Sequence, residues 1–273
     1  MSKDNKKYKK IAIEIRGEIL EMIFSSRTSH IGSALSCVDI LTALYFKILN
    51  IDPNNPQAEN RDRFILSKGH AASALYAILA SRKFFAKSLL KQFCKNGSNL
   101  PGHASYNCVP GVEVSTGSLG HGLAMANGIA MAGKRDKKNY RVFVLLSDGE
   151  CDEGSTWEAI LFAGHHKLDN LVAIVDYNKW QAFGRTKDVL DLEPFADKWR
   201  DFGWSAKEIN GHNFQEIFKA LGKIPFQKNK PSVLIAHTIK AKGLSFMEDK
   251  LESHYRSPSE EEYKKAIKEL EKL

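Results

Sequence analysis

Two polar positions follow two apolar segments in the middle of the chain, and their side chains suit metal and phosphate chemistry. Asp148 and Gly149 come after the apolar run 142–146, and Asn178 comes shortly after a second run, 171–175. Unbroken apolar runs of this length are typical of strands in a parallel sheet that is covered on both faces. The carboxyl ends of such strands meet at one edge of the sheet, where open α/β sheets bind ligands.

The side-chain oxygens of Asp148 and Asn178 are hard ligands of the kind that Mg²⁺ prefers, with diphosphate oxygens and a water or carbonyl completing six positions. The metal would offset the charge of the diphosphate, and the Gly149 N–H would donate a hydrogen bond to it. An Asx turn at a strand end is the plain structural alternative for an Asp-Gly pair. The spacing of the two strand ends favours the binding site.

The elements around these positions follow from hydrophobic periodicity. A crossover helix must join the two parallel strands, and its apolar face, which we expect in the core, comprises Trp157, Ile160, Leu161 and Gly164. Further helices are predicted over 8–24, 36–49 with Ser36 as its cap, 71–82, 123–133, 195–202 and 214–221, and further strands over 63–66, 204–209 and 232–238. An irregular segment, 240–258, and a C-terminal helix, 259–272, complete a single domain over 1–273. The predicted fold class is therefore α/β, a doubly wound, mostly parallel sheet with helices on both faces.

Four histidines lie in loops that contain Gly or Ser. His30 follows the first helix, and His254 lies in the irregular segment near the C-terminus. His70 opens the helix 71–82, where free backbone N–H groups and the helix dipole favour an anion. His103 belongs to the loop 96–122, and a loop of that length inside a compact domain is usually functional. Imidazole rings at such places can hydrogen-bond a substrate or transfer a proton.

Composition narrows the class of protein. The 273 residues are 43% hydrophobic and carry a net charge of +8. The lysines crowd into the first ten positions and the last helix without the pattern of nucleic-acid proteins, so we expect a field that attracts anionic small substrates. No apolar stretch approaches the roughly 20 residues of a membrane helix, the first residues lack the apolar segment of a signal peptide, and the four cysteines form no Cys-x-x-Cys pair. We expect a cytoplasmic protein that binds neither nucleic acid nor membrane.

A set of motifs in one order along the chain resembles a known family. They are Thr28-Ser-His30-Ile-Gly32, Asp62-Arg-Phe-Ile-Leu-Ser-Lys-Gly-His70, Pro101-Gly-His103, Gly117-Ser-Leu-Gly-His-Gly122, Asp148-Gly-Glu, Glu153-Gly, Asn178, Lys242-Gly-Leu-Ser-Phe246 and His254. From about residue 10 to 258 the chain is similar to the amino-terminal, diphosphate-binding half of transketolase, as found in enzymes split into two chains. The co-linear order makes the resemblance specific.

The resemblance implies thiamine diphosphate with Mg²⁺ or Ca²⁺, and transfer of a two-carbon ketol unit from a ketose phosphate to an aldose phosphate, as in the pentose phosphate pathway. Implied metal ligands are Asp148, Asn178 and the carbonyl of Trp180. Implied cofactor-binding residues are His70, Gly117, Ser118, Leu119, Asp148, Gly149, Glu153, Asn178 and His254, and Glu153 would also couple two active sites across a subunit interface. The donor sugar would meet the catalytic histidines His30, His103 and His254.

The family also implies a partner. In transketolases a second domain carries the carboxylate that activates the aminopyrimidine, the pyrimidine pocket and most residues that grip the substrate phosphate. No further sheet follows strand 232–238 to hold them, so we expect a chain that is inactive alone. It would work with a separately encoded carboxy-terminal transketolase subunit, as α2β2, on sugar phosphates.

Some positions depart from the family pattern, and other functions stay open. Ser147 replaces a usual Gly, His121 replaces a frequent Gln, and Lys179-Trp180-Gln181 is bulkier than the usual residues after the Asn. Alternatives are the α subunit of another thiamine-diphosphate enzyme, such as a 2-oxo acid dehydrogenase or a deoxyxylulose-phosphate synthase-like protein, or a non-catalytic scaffold subunit. The histidines and the Ser-Lys-Gly-His70 motif favour a polyhydroxylated donor.

Overall fold

The computed structural model describes residues 3–273, with side chains from residue 5 onward. Within these residues, five strands form one sheet in the spatial order β1-β2-β3-β5-β4, and every neighbouring pair is parallel. The strands are β1 (Arg63–Leu66), β2 (Val142–Ser147), β3 (Leu171–Tyr177), β4 (Ser205–Asn210) and β5 (Ser232–His237). The parallel α/β fold predicted from the sequence is confirmed.

Helices cover both faces of the sheet. They are α1 (Lys3–Ser26), α2 (Ile31–Ser36), α3 (Val38–Ala43), α4 (Ala72–Ser81), α5 (Gly122–Arg135), α6 (Gly154–His165), α7 (Thr186–Val189), α8 (Phe195–Asp201), α9 (Phe214–Leu221) and α10 (Glu260–Leu270). The larger core lies between the sheet and α1–α4, α9 and α10, and the smaller core lies between the sheet and α5, α6 and α8. No helix among the described residues combines the length and the apolar character needed to cross a bilayer.

The alternation of side chains along the central strands decides which groups reach the site. Phe143 and Leu145 of β2 enter the larger core, whereas Val142, Val144 and Leu146 enter the smaller core. Ser147, the last residue of β2, is paired with Asp176 of β3 in the parallel register. Because side chains alternate across a strand, Ser147 and Asp176 both point to the face that carries α2.

Local predictions differ in outcome. Ser259 caps α10 through a capping box with Glu262, as the sequence predicted. The prediction that Ser36 caps a helix over 36–49 is wrong, because Ser36 ends α2 and its hydroxyl donates to the Ser33 carbonyl and to Asp176. The prediction that Leu161 is core is also wrong, because its side chain is 55% exposed on the outer face of α6.

Candidate functional site

A cavity of about 410 Å³ opens at the carboxyl edge of the sheet, where the sequence predicted a ligand site. Most residues singled out from the sequence line it: His30, His70, His103, Gly117, Leu119, Asp148, Gly149, Glu153, Asn178, Trp180 and His254. Ser118 does not line the cavity, and its side chain is exposed to solvent. The structure thus brings together residues that lie up to 224 positions apart in the sequence.

Short loops that leave the strand ends position these groups. A turn after β1 leads into a 3-10 helix at Gly69–Ala71, so His70 stands just before α4. Asp148 follows β2 directly, and Asn178 follows β3, which is the neighbouring parallel strand. The two proposed metal-binding side chains are therefore adjacent because their strands are paired.

Asp148 is a buried carboxylate surrounded by neutral donors. Its oxygens accept hydrogen bonds from the backbone N–H groups of Gly149 (2.9 Å) and Lys179 (2.6 Å) and from the Thr186 hydroxyl (3.1 Å). Burial, reinforced by the nearby charge of Asp176, raises the pKa of Asp148 to about 7. A buried carboxylate whose ionised form is this unfavourable gains stability from a cation placed against it.

The donor set at this place fits a divalent cation that brings its own ligands. Asn178 Oδ1 accepts a hydrogen bond from the Trp180 N–H at 3.0 Å, and its oxygen stands at the same sheet edge as Asp148. No cluster of three or more His, Cys, Asp or Glu side chains arranged for a metal occurs in the described part of the chain. Two oxygen-bearing side chains and a loop carbonyl leave most coordination positions to diphosphate oxygens and water, which is how Mg²⁺ is usually bound.

Four histidine rings gather in the same cavity. The ring centroid of His30 lies 5.2 Å from that of His70, 6.0 Å from that of His103 and 5.1 Å from that of His254. Burial, aided by neighbouring positive groups, lowers the pKa of His30 to about 4 and that of His254 to about 3, and it lowers the pKa of His70 well below the usual value. These three rings are neutral near pH 7 and act there as hydrogen-bonding groups rather than as cations.

Local geometry constrains the backbone of His30 and the ring of His103. His30 is a non-glycine residue in the left-handed region (φ 72°), and its N–H donates to the His254 carbonyl at 2.8 Å. Gly117 has φ 146°, and a Cβ added there would lie 2.8 Å from Cδ2 of His103. A side chain at position 117 would therefore displace the His103 ring.

Sequence reasoning missed a buried ion pair beneath the cavity. The ammonium of Lys68 pairs with the Asp176 carboxylate, and both side chains are fully buried. Burial alone would raise the pKa of Asp176, but Lys68 and the hydroxyls of Ser36 and Thr238 bind the carboxylate and hold its pKa below the usual value. Lys68 lies inside the Ser-Lys-Gly-His motif, and that motif is the sequence feature from which a role for Lys68 could have been predicted.

A second missed residue is Lys240, which follows β5 and lines the cavity. Its ammonium contacts two neutral acceptors, His254 Nδ1 at 3.1 Å and the Gln181 carbonyl at 3.4 Å. Burial lowers the pKa of Lys240 to about 8. A buried ammonium without a hydrogen-bonded carboxylate is suited to an anionic ligand, and no sequence pattern distinguishes Lys240 from the other lysines.

Trp180, which lines the cavity, belongs to a polar cluster with Arg185 and Asp249. The Trp180 indole N–H donates to Asp249 Oδ1 at 2.7 Å, and Arg185 binds the same carboxylate through both terminal nitrogens at 2.7 and 2.8 Å. The Arg185 guanidinium also lies 4.1 Å from the Trp180 ring centroid. The cluster joins the segment after β3 to the irregular segment before His254.

Comparison with known proteins agrees with this geometry. Residues 8–271 match the family described as transketolase, thiamine diphosphate binding domain. The chain is 43% identical over 255 residues to a subunit of the apulose-4-phosphate transketolase of Phocaeicola vulgatus, covering 93% of this chain and 90% of that protein. It is 45% identical over 258 residues to the 6-deoxy-6-sulfo-D-fructose transketolase subunit SqwG of a Clostridium species, covering 94% of each.

Larger relatives match only in part. Human transketolase is 38% identical over 250 residues, which cover 90% of this chain and 39% of the human protein. The crystal structure of transketolase from Campylobacter jejuni superposes with a TM-score of 0.92 at 34% identity, covering 99% of this chain and 43% of that one. The chain therefore spans about two fifths of these relatives.

Proposed function

This chain belongs to the transketolase family, and from that premise we propose that it is the diphosphate-binding subunit of a two-chain transketolase. The proposed enzyme moves a two-carbon ketol unit from a ketose phosphate to an aldose phosphate. The observation that carries the proposal is that one cavity contains both a buried carboxylate and a buried ammonium, each without a hydrogen-bonded partner of opposite charge among the described residues. Asp148 favours a cation, and Lys240 favours an anion.

A metal–diphosphate group supplies both charges. Asp148 and Asn178 would hold Mg²⁺ or Ca²⁺, with the Trp180 carbonyl as a further ligand, while the Gly149 N–H and His70 would contact the diphosphate. When bound, thiamine diphosphate supplies the carbon nucleophile for ketol transfer. The residues of this chain hold that group in place and exclude water from one side of it.

The histidines are proposed to handle the donor sugar. His30, His103 and His254 surround the part of the cavity nearest His70, within reach of hydroxyl and carbonyl groups of a bound ketose. The neutral imidazoles of His30 and His254 offer one donor and one acceptor each, which matches a polyhydroxylated chain. His254 Nδ1, held against Lys240, has its acceptor position already occupied, so its other nitrogen carries the N–H that can donate to substrate.

Partner binding is proposed from two observations. Relatives that this chain covers almost completely are named as subunits of transketolases. The outer face of α5 and α6 exposes small and apolar residues, namely Ala124, Gly128, Ala132, Leu161 and Phe162. Such a face suits close packing of a second subunit, as the proposed α2β2 assembly requires. Glu153 lies at the exposed start of α6, and we propose it as the carboxylate that couples the two active sites.

A single domain over 1–273 and a cytoplasmic location stay predictions.

Reconstitution tests the proposal. The purified chain is assayed with and without a chain that resembles the carboxy-terminal half of transketolase, using common ketose phosphates together with apulose 4-phosphate and 6-deoxy-6-sulfofructose, in the presence of Mg²⁺ and thiamine diphosphate. We expect ketol transfer only from the mixture. Full transfer by the chain alone would refute the need for a partner. Release of CO₂ from a 2-oxo acid would favour the dehydrogenase alternative, and absence of Mg²⁺-dependent cofactor binding in calorimetry would favour a scaffold.

A further inference from the structure

A fully buried carboxylate, Glu150, lies behind the cavity wall and outside the set of residues that line it. Its Oε1 accepts hydrogen bonds from the Ser67 hydroxyl and from the Gly120 N–H at 3.0 Å. Its Oε2 accepts the Ser147 N–H at 3.3 Å. Among the residues with described side chains, no lysine, arginine or histidine forms an ion pair with Glu150.

The three donors belong to three different segments at the carboxyl edge of the sheet, and each segment carries residues of the proposed cofactor site. Ser67 precedes Lys68, Gly69 and His70, and Gly120 follows Gly117 and Leu119, while Ser147 precedes Asp148 and Gly149. We call these segments, 67–70, 117–120 and 147–149, the cofactor loops. Each comes from a different part of the chain, and the Glu150 carboxylate binds all three.

The three hydrogen bonds need acceptor oxygens on both sides of the Glu150 side chain. Three donors converge on two oxygens, so a side chain with one acceptor oxygen and one amide nitrogen would place a donor against a donor. Gly120 adds a steric constraint, because it has φ 82° and a Cβ built on it would lie 2.9 Å from the Glu153 Cβ. The hydrogen bond to Glu150 therefore holds a backbone segment that fits only in one place against the start of α6.

We propose that Glu150 is a positioning residue that holds the three cofactor loops in one arrangement competent to bind the metal–diphosphate group. The inference rests on the proposed function, since the loops are cofactor loops only if that function holds. Glu150 touches neither substrate nor the reacting atoms, and it acts through the backbone and the hydroxyl that it binds.

The test compares Glu150→Gln with Ser67→Ala in the chain reconstituted with its partner. Glu150→Gln keeps the volume but replaces an acceptor with a donor, and Ser67→Ala removes one of the three donors. The dissociation constant of thiamine diphosphate is measured by calorimetry at saturating Mg²⁺, together with kcat at saturating cofactor and the melting temperature. Glu271→Gln, a charge loss on the exposed end of the last helix, is the matched control.

We expect Glu150→Gln to raise the cofactor dissociation constant by about tenfold or more, because hydrogen bonds to a charged group are among the stronger ones. Ser67→Ala should raise it by about threefold to tenfold, and the double variant should show less than the product of the two effects, because both changes remove one shared interaction. At saturating cofactor, kcat should stay within about threefold of wild type for all variants, since the loops are restored once the group is bound. Glu271→Gln should change none of these values.

Two outcomes overturn the inference. A wild-type dissociation constant for Glu150→Gln would do so, even if the variant melts at a lower temperature, because Glu150 would then be only structural. If Glu150→Gln does not fold, an unchanged dissociation constant for Ser67→Ala overturns the inference in its place. Failure of the wild-type complex to bind thiamine diphosphate would instead refute the proposed function, and this inference would fall with it.

Discussion

Replacing Asp148 with Asn should make the metal-free chain more stable while abolishing metal-dependent cofactor binding. The substitution keeps the shape of the side chain and removes its charge. It therefore separates the two consequences of a buried carboxylate, which are a cost to folding and a ligand for a cation. A residue with a purely structural role would not stabilise the protein when it is replaced.

The size of the stabilisation follows from the pKa of Asp148. Its pKa rises from the usual 3.8 to about 7 on folding. Each pKa unit corresponds to 1.36 kcal/mol, so ionised Asp148 costs roughly 4 kcal/mol above pH 7. Removing the charge should therefore stabilise the chain by that amount. The Asn side chain has a single acceptor oxygen, however, so loss of the hydrogen bonds from the Lys179 N–H or the Thr186 hydroxyl reduces the stabilisation by about 1–3 kcal/mol. We expect a net gain of about 1–3 kcal/mol and, for a domain of this size, a rise in melting temperature of roughly 5 °C.

The stability difference between Asp148→Asn and wild type should depend on pH. Because folding raises the pKa of this acid, the native state holds the proton more tightly, and the stability contributed by protonated Asp148 is lost as pH rises from 3.8 towards 7. The advantage of Asp148→Asn should therefore be about 2 kcal/mol smaller at about pH 5.5 than at about pH 8. Thermal and urea unfolding of both proteins at these two pH values, with and without Mg²⁺ and thiamine diphosphate, measures it.

The different responses of the two proteins to ligand addition complete the experiment. The wild-type chain should gain stability from the ligands, and the variant should gain none, because a ligand stabilises only a state that it binds. A variant that is less stable than wild type at about pH 8 would refute the reasoning, as would a difference that does not change with pH. Either result would mean that the donors around Asp148 already compensate its charge.

Two further predictions concern the same cavity, and a third concerns the proposed subunit interface. Lys240→Met should raise the cofactor dissociation constant about tenfold, and wild type but not the variant should lose affinity above about pH 8, because Lys240 of the free protein deprotonates there. Calorimetry across that pH range checks this. His30→Asn should lower kcat/KM for ketose donors about a hundredfold with little change in cofactor affinity, and the wild-type rate should show no step from His30 near pH 6.5, because the pKa of His30 is lowered to about 4. Phe162→Asp should weaken the association between subunits, whereas Glu158→Gln on the same helix should not; sedimentation measures both.

The parallel sheet and its functional edge could be predicted from the sequence because the signals are local and strong. The runs before Asp148 and Asn178 are apolar without interruption, and such runs have few structural alternatives when helical segments separate them. Once the two strands are neighbours and parallel, the register places their ends together. The proximity of Asp148 and Asn178 was therefore a consequence of strand order.

Other features depend on contacts that no local pattern records. Leu161 has the spacing of a core residue, but α6 carries apolar side chains on more than one face, and the sequence does not say which face meets the sheet. Ser36 has the residue type of a helix cap, yet its hydroxyl is used by Asp176, a residue of a strand 140 positions away. Tertiary partners of this kind override local preference, and they concentrate near the site.

The buried charges explain why the site could be located but not fully described from the sequence. Lys68 and Asp176 form a matched pair, and the pKa of Lys68 is raised while that of Asp176 is lowered, so each stabilises the charge of the other. Lys240 and Asp148 show the reverse, because burial lowers the lysine pKa and raises the carboxyl pKa, and neither forms a hydrogen-bonded ion pair among the residues with described side chains. Residue type is the same in the two cases, so composition and spacing cannot distinguish them.

The lack of a hydrogen-bonded ion pair at Lys240 and Asp148 should increase the affinity of the cavity for a charged ligand. A chain that folds with an uncompensated ammonium and an uncompensated carboxylate in one cavity loses stability relative to a matched or apolar core. A ligand that carries a cation to Asp148 and an anion to Lys240 removes both penalties at once, and the free energy recovered adds to its affinity. A free diphosphate without metal would relieve only Lys240, and a free metal ion would relieve only Asp148. Because a cation held at Asp148 also attracts the diphosphate directly, we expect positive linkage between metal and diphosphate, each binding more tightly in the presence of the other.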